Sequence, residues 1–428
     1  MTLTIILIVL VLVLLSGVPI FAGLGITSVV LLYLVDGQIS SLGEIVFGKL
    51  NIYLLVAVPL FAFMAHVMIR ARVIDDLYQT AHTLVRHLPG GLGVATVLSC
   101  TIFAAISGSS VATALTIGTT AIPQMQRYGY RARDTYGVVA AGGTLGILIP
   151  PSGPMILYGV VSETSIGALF IAGLIPGVLL ALLFAVYSSL SQRGRIEVQR
   201  EPRAHLNEVI IALKKAVWAL SLPPLVLGGI YFGIFTPTEA AAIGAFAALV
   251  IAFLVYRNFG WNDLLEAARD TTRLTAMLFM ILASAAIFGH VLTVMNLPAE
   301  LVRSVSATGV GPMGFILAVM GVIFVLGMFL DTIAIILVTT PIIMPVLDSF
   351  SVDPVWYGVL LMINLELALI TPPVGMNLFV IKGIAHAPMA EIIRGILPYV
   401  GLMVVGLALI WLFPVLTLWL PHTMGYGL

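Results

Sequence analysis

Charge is what this sequence has least of. Asp, Glu, Lys and Arg make up 9% of 428 residues, where a soluble domain carries about 25%. That excludes an ordinary solvated globule. The net charge is zero, which argues against nucleic acid as a partner. A single cysteine, Cys100, excludes an internal disulfide and a cysteine-rich metal site. It reads as a small helix-packing residue. His66, His82, His87, His290 and His386 follow no metal-ligand spacing. There is no Walker loop, GxGxxG turn, HExxH or GxSxG. Nothing here binds ATP, so any transport would be secondary. The N-terminus has no basic stretch before its apolar run and no small-residue cleavage site. Met1–Leu15 therefore reads as a retained helix.

What is present is apolar: 61% of residues are hydrophobic. A helix crossing a bilayer needs roughly 20 such residues. Trp218–Ile234, Ala240–Val255 and Gly401–Leu420 meet that need with modest extension. The expected fold class is an all-α polytopic membrane protein. Of 19 Lys and Arg residues, only Lys49 and Arg303 fall outside one set of loops. Basic residues gather on the cytoplasmic side, so the other 17 are assigned inside. Residues 88–127 then start and finish inside, and 312–349 start and finish outside. Each should be a re-entrant hairpin, broken at Ser107-Gly108-Ser109-Ser110 and at Asp331-Thr332. Non-helical backbone at membrane depth survives only where protein or a cavity shelters it.

The two halves align at a constant offset of 222, the separation of Pro123 from Pro345. At that offset Pro150-Pro151 meets Pro372-Pro373, and Gly153 meets Gly375. Gly173 meets Gly395, Pro176 meets Pro398, and Ser109 falls on Asp331. The expected organisation is a first repeat over 1–191, a cytoplasmic linker over 192–215 and a second repeat over 216–428. The first contains hairpin 88–127 and a proline-broken helix over 136–161. The second contains hairpin 312–349 and a broken helix over 355–384. Entry from opposite faces would make the repeats inverted, as in many secondary transporters. Leu206–Lys215 is expected to form an amphipathic helix or a plain loop. Repeat symmetry predicts that Thr2–Leu34 crosses twice, breaking at Ser16-Gly17-Val18-Pro19; one long helix is the other reading.

Four constellations are candidate chemistry. Ser107, Gly108, Ser109 and Ser110, with Thr113 close behind, can unwind a hairpin tip and offer hydroxyls and carbonyls to a monovalent cation. Gly142 to Gly153 (GGTLGILIPPSG) contains Gly142, Gly146, Pro150, Pro151 and Ser152. Its prolines leave upstream carbonyls unpaired, free for a cation, while exposed amides suit a carboxylate. The mate of this stretch, Asn364 to Asn377, brings Glu366, Thr371, Pro372, Pro373, Gly375 and Asn377. Asp331 and Thr332 stand at the second tip. Carboxylates in apolar sequence are costly and usually functional or paired. Asp331 and Glu366 could ligate a cation, take a proton, or cap a broken helix. Glu239, in FTPTEAAA, reads as the start of a helix with Thr238 as N-cap.

SGSSVATA, GGTLGILIPPSGPMILYG, FTPTEAAA, GMFLDTIAIILVTTPIIMPV and LELALITPPVGMNLFVIKGIA occur in this order. Together they resemble the large membrane subunit of tripartite ATP-independent periplasmic (TRAP) transporters. The resemblance implies an elevator-type, sodium-coupled importer of a small organic acid in the bacterial inner membrane. The cargo would be a dicarboxylate, a sialic-acid-like acid or another carboxylate. It also implies a periplasmic substrate-binding protein and a small four-helix membrane subunit as partners. The latter is expected as a separate chain, since no extra N-terminal region is present. The implied sodium sites fall on Ser107, Ser109 and Ser110 with the Gly142–Pro151 break, and near Asp331 with Thr371–Gly375. Proton coupling remains an alternative to sodium. A stand-alone symporter or antiporter is the competing function. An intramembrane enzyme using Asp331 and Glu366, and a passive channel, are further ones.

Overall fold

The computed structural model describes residues 6, 9, 10, 12, 13, 16–193, 201–307 and 309–426. Most of the first apolar stretch, and Arg195 and Glu197 of the linker, lie outside the described residues. The described residues form helices, turns and loops with no strand. Helix α1 is Ile20–Asp36, preceded by a turn at Ser16 and Gly17 where the sequence placed a break. Then follow α2 (Leu42–Leu50), α3 (Ala57–Arg70) and α4 (Val73–Val85). The first hairpin is α5 (Gly91–Ser107) and α6 (Ser110–Arg127). The first broken helix is α7 (Ala132–Gly143), the short α8 (Leu145–Leu148) and α9 (Gly153–Ser162). Helix α10 (Ile166–Ser191) closes this half.

The second half runs through α11 (Leu206–Tyr231), α12 (Pro237–Val250, continuing as a π-turn to Tyr256), α13 (Trp261–Val294) and α14 (Leu297–Ala307). Its hairpin is α15 (Pro312–Gly327) and α16 (Thr332–Ser349). Its broken helix is α17 (Pro354–Leu369) and α18 (Met376–Ala385), followed by α19 (Met389–Leu412) and α20 (Val415–Thr423). The offset of 222 recurs in the element boundaries. Helices α6 and α16 start at Ser110 and Thr332 and end at Arg127 and Ser349, and α7 and α17 start at Ala132 and Pro354.

Local chemistry explains the starts. Pro237, Pro312 and Pro354 occupy first helical positions, where the missing N–H costs nothing. The hydroxyls of Ser109, Ser152 and Ser165 and the carboxylates of Asp331 and Asp353 accept from the first free amides of α6, α9, α10, α16 and α17. Three sequence expectations need correction. Thr236, not Thr238, caps α12, closing a capping box with Glu239. Leu206–Lys215 is helical, one of its two readings, but the helix runs on unbroken to Tyr231 as α11 instead of ending in the linker. Gly401–Leu420 is not one span, because Phe413 and Pro414 break it between α19 and α20; Pro414 has no N–H to continue the ladder.

Eight helical segments among the described residues are long and apolar enough to cross a membrane. The first broken helix is the most enclosed, with 89% of its apolar window buried against 28% in α11. The first break therefore sits inside the protein, and most of the side of α11 is left uncovered by the described residues. Helix α10 is 26 residues long, about 39 Å at 1.5 Å per residue. The feet of the first hairpin lie at its C-terminal end, with Gly90 against Ser188, and Met125 and Tyr130 beside Ser191. The last turn of the second hairpin, at Asp348, lies beside Ser165 at the other end. The two hairpins are rooted at opposite ends of α10.

Candidate functional site

The two hairpin tips meet. Ser107, Gly108, Ser109 and Ser110 from the first, and Asp331 and Thr332 from the second, line one cavity of about 180 Å³. Pro151, Gly153 and Pro154 of the first break line it too, with Leu369 and Met376 flanking the second. The remaining wall comes from α3 and α13, including Phe61, His66, Ile69, Leu274 and Leu278.

Each tip is built to stay unwound. In the first, Gly108 takes φ +59°, and a Cβ there would lie 2.4 Å from the Pro151 carbonyl oxygen. Only glycine permits both the left-handed turn and that approach. The Thr113 hydroxyl donates to the Ser109 carbonyl at 2.8 Å and also contacts the Ser107 hydroxyl at 2.8 Å. Ala112 N–H donates to Ser109 Oγ. Gly146 brings α8 onto the tip, where a Cβ would come within 2.5 Å of the Ser109 carbonyl group. In the second tip, Asp331 accepts from Ile333 N–H at 3.0 Å. Ser109 and Asp331, matched by the sequence offset, thus hold the same N-cap position in their hairpins.

Contacts also join each hairpin to a break. Gly375, at φ +60°, donates its N–H to the Met328 carbonyl at 3.4 Å. Asn364 Nδ2 donates to the Met320 carbonyl at 2.9 Å. Ser110, from the first half, donates to Glu366 Oε1 in the second. Glu366 is 1% exposed, and its Oε2 has no hydrogen-bond partner. Asn377 is wholly buried with both side-chain polar atoms unpartnered. These three atoms are the strongest unmet polar demand near the site.

The singled-out residues therefore fall into two groups. Ser107, Gly108, Ser109, Ser110, Pro151, Asp331 and Thr332 line the cavity. Thr113 and Gly146 support the first tip from behind. Gly142 packs against Cys100, where a Cβ would lie 2.6 Å from Sγ. Ser152 caps α9, and Thr371 donates to the Leu367 carbonyl at 2.6 Å. Pro150, Pro372, Pro373, Gly375, Glu366 and Asn377 lie in or beside the breaks without lining the cavity. Both Pro–Pro bonds are cis.

Sequence reasoning missed the opposite wall. His66 contacts Thr271 Oγ1 at 3.0 Å, and that hydroxyl donates to the Ala267 carbonyl. Arg70, one turn away, pairs with Asp270 at 2.7 Å and with Glu266. The available signal was a histidine and an arginine four residues apart on an apolar helix.

Paired hairpins with capped tips, meeting two broken helices around a small polar-floored cavity, define a helical membrane carrier rather than a soluble binding module. The comparisons agree. The family described as "Tripartite ATP-independent periplasmic transporter, DctM component" matches residues 7–416, and the chain belongs to it. It is 39% identical over 388 residues to the C4-dicarboxylate TRAP transporter large permease protein DctM of Pseudomonas aeruginosa, covering 91% of each chain. It is 34% identical to the ectoine large permease TeaC of Halomonas elongata, covering 95% and 96%. It is 33% identical to the sialic acid large permease SiaM of Vibrio cholerae, covering 96% and 97%. In fold it is similar to the Alcanivorax borkumensis YdaH transporter, with TM-score 0.65 at 15% identity, covering 91% and 89%.

Proposed function

We propose that the chain is the transmembrane carrier of a three-part importer for a small organic acid anion, driven by sodium, in the bacterial inner membrane. The observation that carries this is the single cavity shared by two hairpin tips rooted at opposite ends of α10. Two inverted repeats, 1–191 and 216–428 joined by the linker 192–215, account for that arrangement and for the shared element boundaries. Relatives whose names specify C4-dicarboxylate, ectoine and sialic acid support a small carboxylate-bearing cargo.

The residues present fit a monovalent cation. Ser107, Ser109 and Asp331 offer side-chain oxygens at the tips, and the prolines of the breaks supply no N–H to the carbonyls that precede them. The amides opening α6 and α9, whose caps are the neutral hydroxyls of Ser109 and Ser152, suit a carboxylate. Protons remain the alternative coupling ion, with Glu366 and Asp331 as the groups to carry them.

The mechanism follows from shielding. Ser110–Glu366, Gly375–Met328 and the Gly108–Pro151 contact tie both hairpins to both breaks. Unpaired backbone must stay covered throughout the cycle, so hairpins and broken helices travel as one block. Helices α1, α3, α11, α12 and α13 form the fixed scaffold, which offers a face to a small four-helix membrane subunit. A periplasmic binding protein delivers the cargo. The test is reconstitution in proteoliposomes of the chain with the small subunit and binding protein. Uptake of a labelled organic acid should require both partners and an inward sodium gradient. Uptake by the chain alone, or uptake indifferent to sodium, overturns the reading.

A further inference from the structure

The cavity at the hairpin tips has two unlike sides. The tips bring serine hydroxyls and Asp331, while the facing wall on α3 and α13 is apolar at Phe61, Ile69, Leu274 and Leu278. One lining side chain interrupts that wall with polar atoms, His66. Its half-buried ring is held in place. Nδ1 lies 3.0 Å from Thr271 Oγ1, and that hydroxyl is anchored to the Ala267 carbonyl at 2.7 Å. Nε2 has no hydrogen-bond partner among the described residues. An imidazole fixed through one nitrogen keeps the other for what enters the cavity.

The wall has no fixed cation. Among the described residues no Lys or Arg lines the cavity. Arg70 stands one turn beyond His66 on α3, but it is outside the lining and is committed to Asp270, at 2.7 Å, and to Glu266. A carboxylate pressed against this wall would lose its water without gaining a partner cation, which is costly. A hydroxyl escapes that cost. It both donates and accepts, so it can pair with Nε2 in either ring tautomer. The cavity volume, about 180 Å³, is that of about six liquid waters at roughly 30 Å³ each. That suits a short-chain acid rather than a sugar acid.

We propose that His66 reads the cargo from the wall, and that the cargo it selects is a short monocarboxylate whose far end carries a hydroxyl, not a second carboxylate. This assignment rests on the proposed carriage of an organic acid anion: the tips take the carboxylate and its cation, and the wall takes the other end. Thr271 acts through His66, as a positioning residue.

Binding to the purified full chain, in detergent with sodium, keeps the specificity of a periplasmic partner out of the measurement. The probes are γ-hydroxybutyrate, butyrate and succinate, acids of equal chain length that differ at the far end. Affinities are read by isothermal titration calorimetry. Wild type should bind γ-hydroxybutyrate about tenfold tighter than butyrate, the worth of one hydrogen bond, and succinate most weakly. His66→Leu should erase the difference between the first two acids and leave butyrate as before, which a merely structural role would not do. His66→Gln should restore part of the preference, and Thr271→Val should reduce it, again without moving butyrate. His290→Gln, in a separate cavity, should change nothing. Melting temperatures without acid check that each variant folds; should His66→Leu not fold, His66→Gln and Thr271→Val carry the same comparison. Succinate binding as tightly as γ-hydroxybutyrate, or a preference that no His66 or Thr271 variant moves, overturns the assignment and leaves the carrier intact. Failure to bind any of the three acids also overturns it, and the carrier then stands or falls on the uptake assay.

Discussion

Ser110 and Glu366 form the hydrogen bond that ties the first hairpin tip to the second broken helix. Both are buried, at 2% and 1% exposure. Glu366 Oε2 has no other partner to fall back on. Ser110→Ala strips Glu366 of its donor, and an unsatisfied buried group costs about 1–3 kcal/mol. Glu366→Leu leaves the Ser110 hydroxyl without its acceptor, at a similar cost of about 1–3 kcal/mol. The double variant replaces both by apolar groups, which can be nearly neutral. It should therefore be more stable than the sum of the singles by about 1–3 kcal/mol, a coupling typical of a buried contact pair. The assay is thermal unfolding of all four proteins in the same detergent, each at matched concentration. Transport is measured beside it. If the singles add to within about 0.5 kcal/mol, the hydrogen bond does not hold the tip to the break. Glu366→Gln keeps an acceptor for Ser110 and should stay near wild-type stability, so a loss of transport in it alone would assign the charge to ion coupling.

Gly146→Ala should destabilise the protein by about 1–3 kcal/mol through overpacking and abolish uptake, because its Cβ meets the Ser109 carbonyl group at 2.5 Å; wild-type uptake would show that the tip has room. Asp331→Ala should cost about 1 kcal/mol as a lost N-cap, whereas Asp331→Asn should keep the cap. A raised half-saturation for sodium in the Asn variant identifies the carboxylate as a cation ligand, and an unchanged one limits Asp331 to capping. Burial lowers the pKa of His82 below the usual value of 6.5, against the opposing pull of Glu201. The folded chain then binds fewer protons there than the unfolded chain, so stability from this site is full above about pH 6.5 and falls as pH drops below it. His82→Gln should flatten the melting temperature over that window; an unaltered acid slope would exclude this group.

Sequence alone determined the all-helical class and where the apolar runs are interrupted, at Ser107-Gly108-Ser109, at Asp331 and at the two Pro-Pro pairs of the aligned halves. The reason is that lipid leaves few options: every backbone polar group must be satisfied inside the chain. A Ser-Gly-Ser or an aspartate inside an apolar run marks a sheltered interruption, whereas Pro-Pro alone does not, since Pro223-Pro224 lie within the continuous α11. The constant offset between Pro123 and Pro345 did the rest, since the helix boundaries at Ser110 and Thr332 obey it too. Even the pairing of Ser109 with Asp331 was visible as a register before it was visible as two N-caps.

What the tertiary structure decided is who stands opposite whom. No periodicity couples Ser110 to Glu366, 256 positions later, because the contact is made by packing between halves. The cavity wall with His66, Leu274 and Leu278 was equally silent, since an apolar helix reads the same whether it faces lipid or a cavity. Helix ends were blurred for a related reason. A bilayer fixes how many apolar residues must be in register, but the capping group, Thr236 rather than Thr238, is fixed by the reciprocal hydrogen bonds between Thr236 and Glu239.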